Sequence, residues 1–337
     1  MAAPTPESSG TESGEDRLIA RFFRPLARDP GAFDLIDDAA ILTPPPGHDV
    51  VLKTDAIIGG VHFFADDPPE AIGRKALRVN LSDLAAKGAR PAGFLLTLAL
   101  PAGIGDDWLA AFSSGLGGDV ERYGCPLLGG DTVRSPGPVM VSVAAFGTLP
   151  AGTMVRRDGA KPGDRVLVTG TIGDAALGLA LRRDAARRLQ LHASERDHLL
   201  ARYLLPDPRS GLAEALRRHG GGAMDVSDGL AGDLAKLCRA SGCSAEIAVA
   251  RVPLSDGART LLAADPALIE TVLTGGDDYE IVCAIRPAEV APFRAAAAAA
   301  SIAVTDIGCI EAGGAPPRFI DPQGRTLAFA RPSFSHF

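Results

Sequence analysis

Between Asp106 and Leu149 the sequence changes its hydrophobic period from helical to alternating, which restricts the chain to a mixed architecture. Trp108, Ala111, Phe112, Leu116 and Val120 recur at helical spacing, predicting a helix over 106–123 with Asp106 as N-cap and Gly124 as stop. Cys125-Pro-Leu-Leu-Gly129-Gly130-Asp131 then reads as a short strand ending in a glycine turn. Over 138–149, Val139, Val141 and Val143 alternate with Met140 and Ser142 as a second strand. Helices and strands alternate, so the fold class is α/β, of the α+β type.

The segment 152–163, with Arg156, Arg157, Asp158, Gly159 and Pro162, breaks both periods before a fresh strand, 165–169. A chain of 337 residues exceeds the roughly 100–200 of one typical domain, so a boundary is expected near 150. The expected organisation is a tail over 1–16, an N-terminal domain over 17–150 and a C-terminal α/β domain over 151–337. In the second half, helices are expected over 173–183 and 195–204 and after Asp228, with strands running into Met224 and over 280–285. The start, MAAPTPESSGTESGED, has neither a basic n-region nor an apolar h-region and is expected to be the disordered tail of a cytoplasmic protein. No apolar run reaches the roughly 18 residues of a membrane span.

A formal charge of -7 argues against a nucleic-acid surface, which needs clustered Lys and Arg. The pairs Arg182-Arg183 and Arg187-Arg188 read as the solvated face of one helix. The five cysteines are scattered, without Cys-x-x-Cys spacing, and are expected to be reduced and structural.

Carboxylates recur where strands are expected to give way to turns. They are Asp37-Asp38, Asp55 in Lys53-Thr54-Asp55, Asp83 in Ser82-Asp83, Asp131 after Gly129-Gly130, Asp225 and Asp228 in Met224-Asp-Val-Ser-Asp-Gly-Leu230, and Asp277-Asp278 after Gly275-Gly276. Any one of them could be a helix cap or turn former. Six such junctions together would repel one another without a cation between them. Magnesium is the natural candidate, since it takes a few carboxylate oxygens plus water and substrate phosphates. Asp228 stands before an expected helix start, where N–H groups attract anions. Neither G-x-x-x-x-G-K-[ST] nor a protein-kinase H-R-D or D-F-G set is present, and no G-x-S-x-G nucleophile occurs. Metal-assisted phosphoryl transfer outside those classes is the reading the residues lead to.

The blocks DDAAIL, KTDAIIGGVHF, ALRVNLSDLAAKGARP, LLGGDTVR, RRDGAKPGDRVLVTGTIGDAALGL, MDVSDGL and LTGGDDYE stand, in that order, as in the thiamine-monophosphate kinase family, which the chain resembles over nearly its whole length after residue 16. That family belongs to the superfamily of aminoimidazole ribonucleotide synthetase and selenophosphate synthetase. The resemblance implies a two-domain subunit whose N-terminal sheet pairs across a homodimer. It also implies ATP-dependent phosphorylation of thiamine monophosphate to thiamine diphosphate in thiamine biosynthesis, with several Mg²⁺ ions and no side-chain acid or base. Carried over residue by residue, it implies metal contacts at Asp38, Thr54, Asp55, Asp83, Asp131, Asp225 and Asp228 and at the backbone of Lys53, a position that often carries Ser. ATP contacts are implied at Gly130, Asp131, Arg157 and Ser227, and thiamine-phosphate contacts at His62, Asp277 and Phe334. Ile36 stands where glycine is usual, Asp277 where Glu is common, and Phe334 where a hydroxyl-bearing aromatic is frequent.

Two other readings remain. Another ATP-using enzyme of the superfamily is one: selenophosphate synthetase would want a reactive cysteine near the N-terminus, but the first here is Cys125, and the hydrogenase-maturation relative ends in a cysteine, whereas this chain ends Ser333-Phe-Ser-His-Phe337. A non-catalytic nucleotide or thiamine-phosphate sensor is the other, and it would be expected to have lost acids.

Overall fold

The computed structural model describes residues 14–331, 333 and 334. The first sheet holds β1 (His48–Ile58), β2 (Arg90–Leu100), β3 (Leu127–Arg134) and β4 (Met140–Pro150) in the order β1-β4-β2-β3. Its pairs are antiparallel except β2 with β3. Two helices, Pro69–Ala86 and Asp106–Tyr123, cover one face, and the core there joins Ile57, Leu77, Leu81, Phe94, Leu96, Phe112 and Val143. Pro69 opens the first helix where its missing N–H costs nothing, with Glu70 in the first turn.

The second sheet holds β5 (Arg165–Thr169), β6 (Gly220–Val226), β7 (Cys243–Ala248), β8 (Glu280–Ile285), β9 (Val304–Ala312) and β10 (Arg318–Ile320), in the order β10-β7-β9-β5-β8-β6. Both faces are covered. Val166 and Val168 join a core with Leu177, Leu181 and Leu234, while Leu167 joins Leu216, Phe293 and Cys283 on the other side. Central β8 is therefore buried along its whole length. Ala85 and Ala86, at the end of the Pro69–Ala86 helix, pack into that second core with Val155, so this helix is the seam between the two sheets.

Alternation sets the two faces of β1. Val51, Lys53, Asp55 and Ile57 turn inward, while Val50, Leu52, Thr54 and Ala56 turn outward. Among the described residues the outward face is only partly covered: the 27–42 segment packs at Leu128 and Phe146, but Leu52 is 71% exposed, and Val50, Leu95 and Val133 are also exposed.

Several sequence expectations are corrected. Gly129-Gly130-Asp131 forms no turn, because β3 runs through it to Arg134. A Cβ at Gly130 would meet Leu96 O at 1.9 Å, so the glycine serves close strand approach. Asp55 lies within β1, and Asp83 lies within the Pro69–Ala86 helix rather than after a strand. The N-cap of the 106–123 helix is Gly105, with Asp106 its first residue, paired to Arg21. Arg182 and Arg183 close the helix Asp174–Arg183, whereas Arg187 and Arg188 stand in a separate 3₁₀ turn, because Asp184 leaves helical geometry. Arg182 is moreover bound to Asp66 and Asp67 at 2.9 Å each. Residues 1–13 of the expected tail lie outside the described residues, and a helix Gly14–Leu18 begins in its last three. The cysteines are free, and burial pushes the Cys125 thiol up to about 12. Among the described residues no helix is long and apolar enough to cross a membrane.

Candidate active site

Two loops meet at the seam. The 227–229 loop follows β6, and the 274–279 loop precedes β8. Asp277 N donates to Ser227 O at 2.9 Å and Tyr279 N to Val226 O at 2.8 Å. The contact is close enough to require glycine: a Cβ at Gly276 would stand 2.5 Å from Ser227 O, and one at Gly229, where φ is +103°, 2.5 Å from the Thr274 carbonyl carbon. Asp233, in the first turn of the helix Leu230–Ser241, accepts Ser227 N at 2.9 Å and Asp228 N at 2.8 Å, fixing the loop from behind.

The inward acids of the first sheet and the acids of this loop form one group. Lys53 Nζ lies 3.1 Å from Asp55 Oδ1 and 2.7 Å from Asp83 Oδ2. Burial raises the Asp55 carboxyl above its ordinary range against the pull of Lys53, and Asp83 and Asp228 push it the same way. Burial works against the Lys53 ammonium, but pairing with Asp83 and Asp55 outweighs it and holds the lysine charged. Behind them Asp225 is 2% exposed, and its carboxyl is pushed well above the usual range by burial and by Asp83 and Asp233. Ser82 stands beside it and tempers the shift, yet neither Ser82 Oγ nor Asp225 Oδ2 reaches a partner at hydrogen-bonding geometry. Asp228 pairs with Lys236 Nζ at 2.5 Å. Arg157, in the 3₁₀ turn Arg157–Gly159, stands near enough to Lys87 for its charge to help lower that lysine.

The other predicted ligands stand elsewhere. In register, Asp131 lies opposite Thr97, Thr97 opposite Ser142 and Ser142 opposite Ala56, so Asp131 shares the outward face with Ala56 and Thr54. Asp37, Asp38, Gly130 and Asp131 line an outward cleft of 820 Å³ with Leu52, Leu95 and Phe146. β1 and β3 are opposite edges of the sheet, three strand spacings or roughly 14 Å apart. Asp55 and Asp131 of one chain therefore cannot share an ion. Among the described residues no three His, Cys, Asp or Glu side chains already stand as a metal-binding set. Ile36 takes φ -107°, ordinary for any residue, so its replacing glycine strains nothing; the positive φ values fall on Phe33, Asp34 and Leu35.

On the far side of the 274–279 loop, Lys75 Nζ joins the residues expected to face the acceptor. It donates to Asp277 Oδ2 at 2.9 Å, His62 O at 3.0 Å and Tyr203 O at 3.1 Å. His62 Nδ1 accepts Ile58 N at 3.0 Å, which leaves the proton of a neutral ring on Nε2. Phe334 N donates to Asp228 O at 3.0 Å, so the C-terminal segment lies against the acid loop with the Phe334 ring half-exposed.

Sequence reasoning missed the lysines. Lys53 was credited only with its backbone, and Lys75 and Lys87 were not singled out. Lys87 Nζ donates to Ala223 O at 2.7 Å, and burial, then Arg157, lower it to about 8. As a donor set, Asp55, Asp83, Asp225 and Asp228 supply hard carboxylate oxygens, one of them buried and unpartnered, which fits a hard divalent cation.

Residues 36–149 match the family described as AIR synthase related protein, N-terminal domain, and residues 161–318 the corresponding C-terminal domain. A thiamine-monophosphate kinase of Caulobacter vibrioides is 46% identical over 86% of this chain and 82% of its own length. The crystal structure of thiamine-monophosphate kinase from Stenotrophomonas maltophilia superposes with a TM-score of 0.81 at 37% identity, covering 93% of this chain and 96% of that one. AaThiL complexed with AMPPCP and TMP superposes with a TM-score of 0.75 at 30% identity, covering 91% and 97%.

Proposed function

Because the chain belongs to the thiamine-monophosphate kinase family, built from AIR synthase related domains, we propose that it transfers the γ-phosphoryl group of ATP to the phosphate of thiamine monophosphate. The products are ADP and thiamine diphosphate. The observation that carries the reading on this chain is the meeting of acid loop and acceptor-side loop at the seam, where Asp277 N bonds Ser227 O.

The acceptor phosphate has a second pKa near ~6, so at neutral pH it is already an anionic nucleophile and needs no general base. What must be overcome is repulsion, on the order of 4 kcal/mol for unit charges ~4 Å apart at an effective dielectric of ~20. Asp55, Asp83, Asp225 and Asp228, with the Lys53 carbonyl, would hold Mg²⁺ on the inward side, and Asp38, Thr54 and Asp131 on the outward side. Bound there, Mg²⁺ supplies positive charge between the two phosphates and at the leaving diphosphate. Ser227 borders the inward acids and, with Arg157, would orient ATP, as Gly130 and Asp131 would from β3. Lys75 holds the Asp277 carboxylate and the His62 carbonyl, so that His62, Asp277 and the Phe334 ring can position the acceptor. Transfer is direct and in line, without a phosphoenzyme.

The outward face of the first sheet carries the exposed Leu52, Val50, Leu95 and Val133, which supports a homodimer formed through that sheet. Such a dimer could bring the outward acids of one chain to the inward acids of the other. We place the enzyme in the cytoplasm. Purified protein with Mg²⁺, ATP and a panel of phosphorylated acceptors tests the reading. ADP should form with thiamine monophosphate in preference to thiamine or other monophosphates, and another preferred acceptor would overturn it.

A further inference from the structure

Lys53 is the only residue of β1 whose side chain contacts two acids of the inward group. A surface ion pair would not explain its placement. The alternation of β1 turns it to the covered face, its side chain is 27% exposed, and its second partner, Asp83, comes from the helix across the sheet with a side chain 15% exposed. Holding an ammonium there costs desolvation, which pairing with one carboxylate rarely offsets. Two carboxylates within 3.1 Å of Nζ make the arrangement stable without any other cation.

The position also has a chemical reading. An ion bridging Asp55 Oδ1 and Asp83 Oδ2 would lie where Lys53 Nζ now stands, 3.1 and 2.7 Å from them. A lysine tethered to a strand cannot diffuse away, so no concentration of free metal is needed to keep a positive charge between those two acids. We propose that the Lys53 ammonium is a built-in cation occupying the place of one divalent ion between Asp55 and Asp83, so that this chain binds one ion fewer than its carboxylates could hold. The inference rests on the reading that these acids take divalent cations. The other oxygens of Asp55 and Asp83, with Asp225 at the end of β6 and Asp228 in the loop after it, remain for ions that arrive with the nucleotide.

The test is a count of Mn²⁺ bound per chain, by electron paramagnetic resonance of the free ion, in wild type, Lys53→Met and Lys53→Arg without nucleotide. Lys53→Met should bind one further tight Mn²⁺, and Lys53→Arg, which keeps the charge, should match wild type. Lys53→Met should also lose thermal stability in chelator and recover it in Mg²⁺ by a clearly larger margin than wild type. Equal counts in wild type and Lys53→Met would overturn the proposal, as would a Lys53→Met protein that fails to fold even with Mg²⁺ present throughout. Neither readout needs turnover. A protein inactive on thiamine monophosphate but showing the extra ion would sink the kinase reading alone, and an active kinase with equal counts would sink only this one.

Discussion

Two carboxylates of this protein are withdrawn from water on neighbouring strands, and they are treated in opposite ways. Glu280, the first residue of β8, is fully buried and saturated. Thr169 Oγ1 donates to it at 2.6 Å, Arg209 Nε at 2.7 Å and Arg202 Nη2 at 3.0 Å. Asp225, on the adjacent β6, is as deeply placed yet keeps one oxygen without a partner and has Asp83 and Asp233 for company. Even the surrounding backbone follows the distinction, since Gly170 at φ +55° leaves room for Glu280, whose Oε1 would lie 2.2 Å from a Cβ there. A buried charge that serves the fold is given all its partners. One left short is held for something that arrives later, and its shortfall is a cost the folded state carries.

The sharpest way to break the contrast is Asp225→Asn. Removing that charge should lower turnover on the order of 10³-fold, about 4 kcal/mol in the barrier. Stability in chelator should be unchanged or improved, because a carboxylate is no longer buried beside Asp83. Steady-state kinetics and thermal melts of the same preparation read both. Normal turnover with a lowered melting temperature would make Asp225 a structural acid and erase the difference.

Glu280→Gln should give the reverse result. Arg202 and Arg209 lose their shared carboxylate, and breaking a buried pair costs roughly 3–5 kcal/mol. Urea unfolding should show that loss, while folded protein retains its Mn²⁺ count. A variant as stable as wild type would mean that saturation is no mark of structural use.

The sequence disclosed the acids but not this distinction. MDVSDGL and LTGGDDYE are legible as acid-bearing turns because glycine and aspartate carry turn chemistry locally, and the 106–123 helix is legible because one face is polar and Gly124, at φ +60°, ends it. The Pro69–Ala86 helix has no such face. It lies between two sheets with 14 of its 18 residues buried, so no polar stripe marks it as a helix and Asp83 reads as the end of a strand. Gly129-Gly130 looked like a turn because a glycine pair does not say whether it serves a positive φ or a close neighbour. Which acids share a face depends on strand order, and β1 and β3 stand at opposite edges although their motifs look alike. Lys75, which answers Asp277, comes from far away in sequence, and no local pattern announces the pair.

Asp174 sharpens the contrast with the smallest effect, because it is saturated like Glu280 but one of its donors can be switched. It is fully buried and accepts Thr171 Oγ1 at 2.5 Å, Ser255 Oγ at 2.6 Å and His198 Nε2 at 2.9 Å. Burial raises its carboxyl, but the bonds from His198, Ser255 and Thr171 win, and the net position is below the usual carboxylate range. The same bond holds His198 above its ordinary value of 6.5, against burial and Arg202 and with help from Asp256. A histidine raised in the folded state contributes stability that is fully present below its unfolded value and is lost as pH rises through the folded one. His198→Gln should therefore lower the melting temperature at acidic pH, and the gap from wild type should close as pH climbs through the raised value. The ring is 45% exposed, so solvent screens the pair and the gap should be modest. A gap that stays constant with pH would mean the imidazole acts by packing and neutral hydrogen bonding alone, and that Asp174 is saturated without any help from charge.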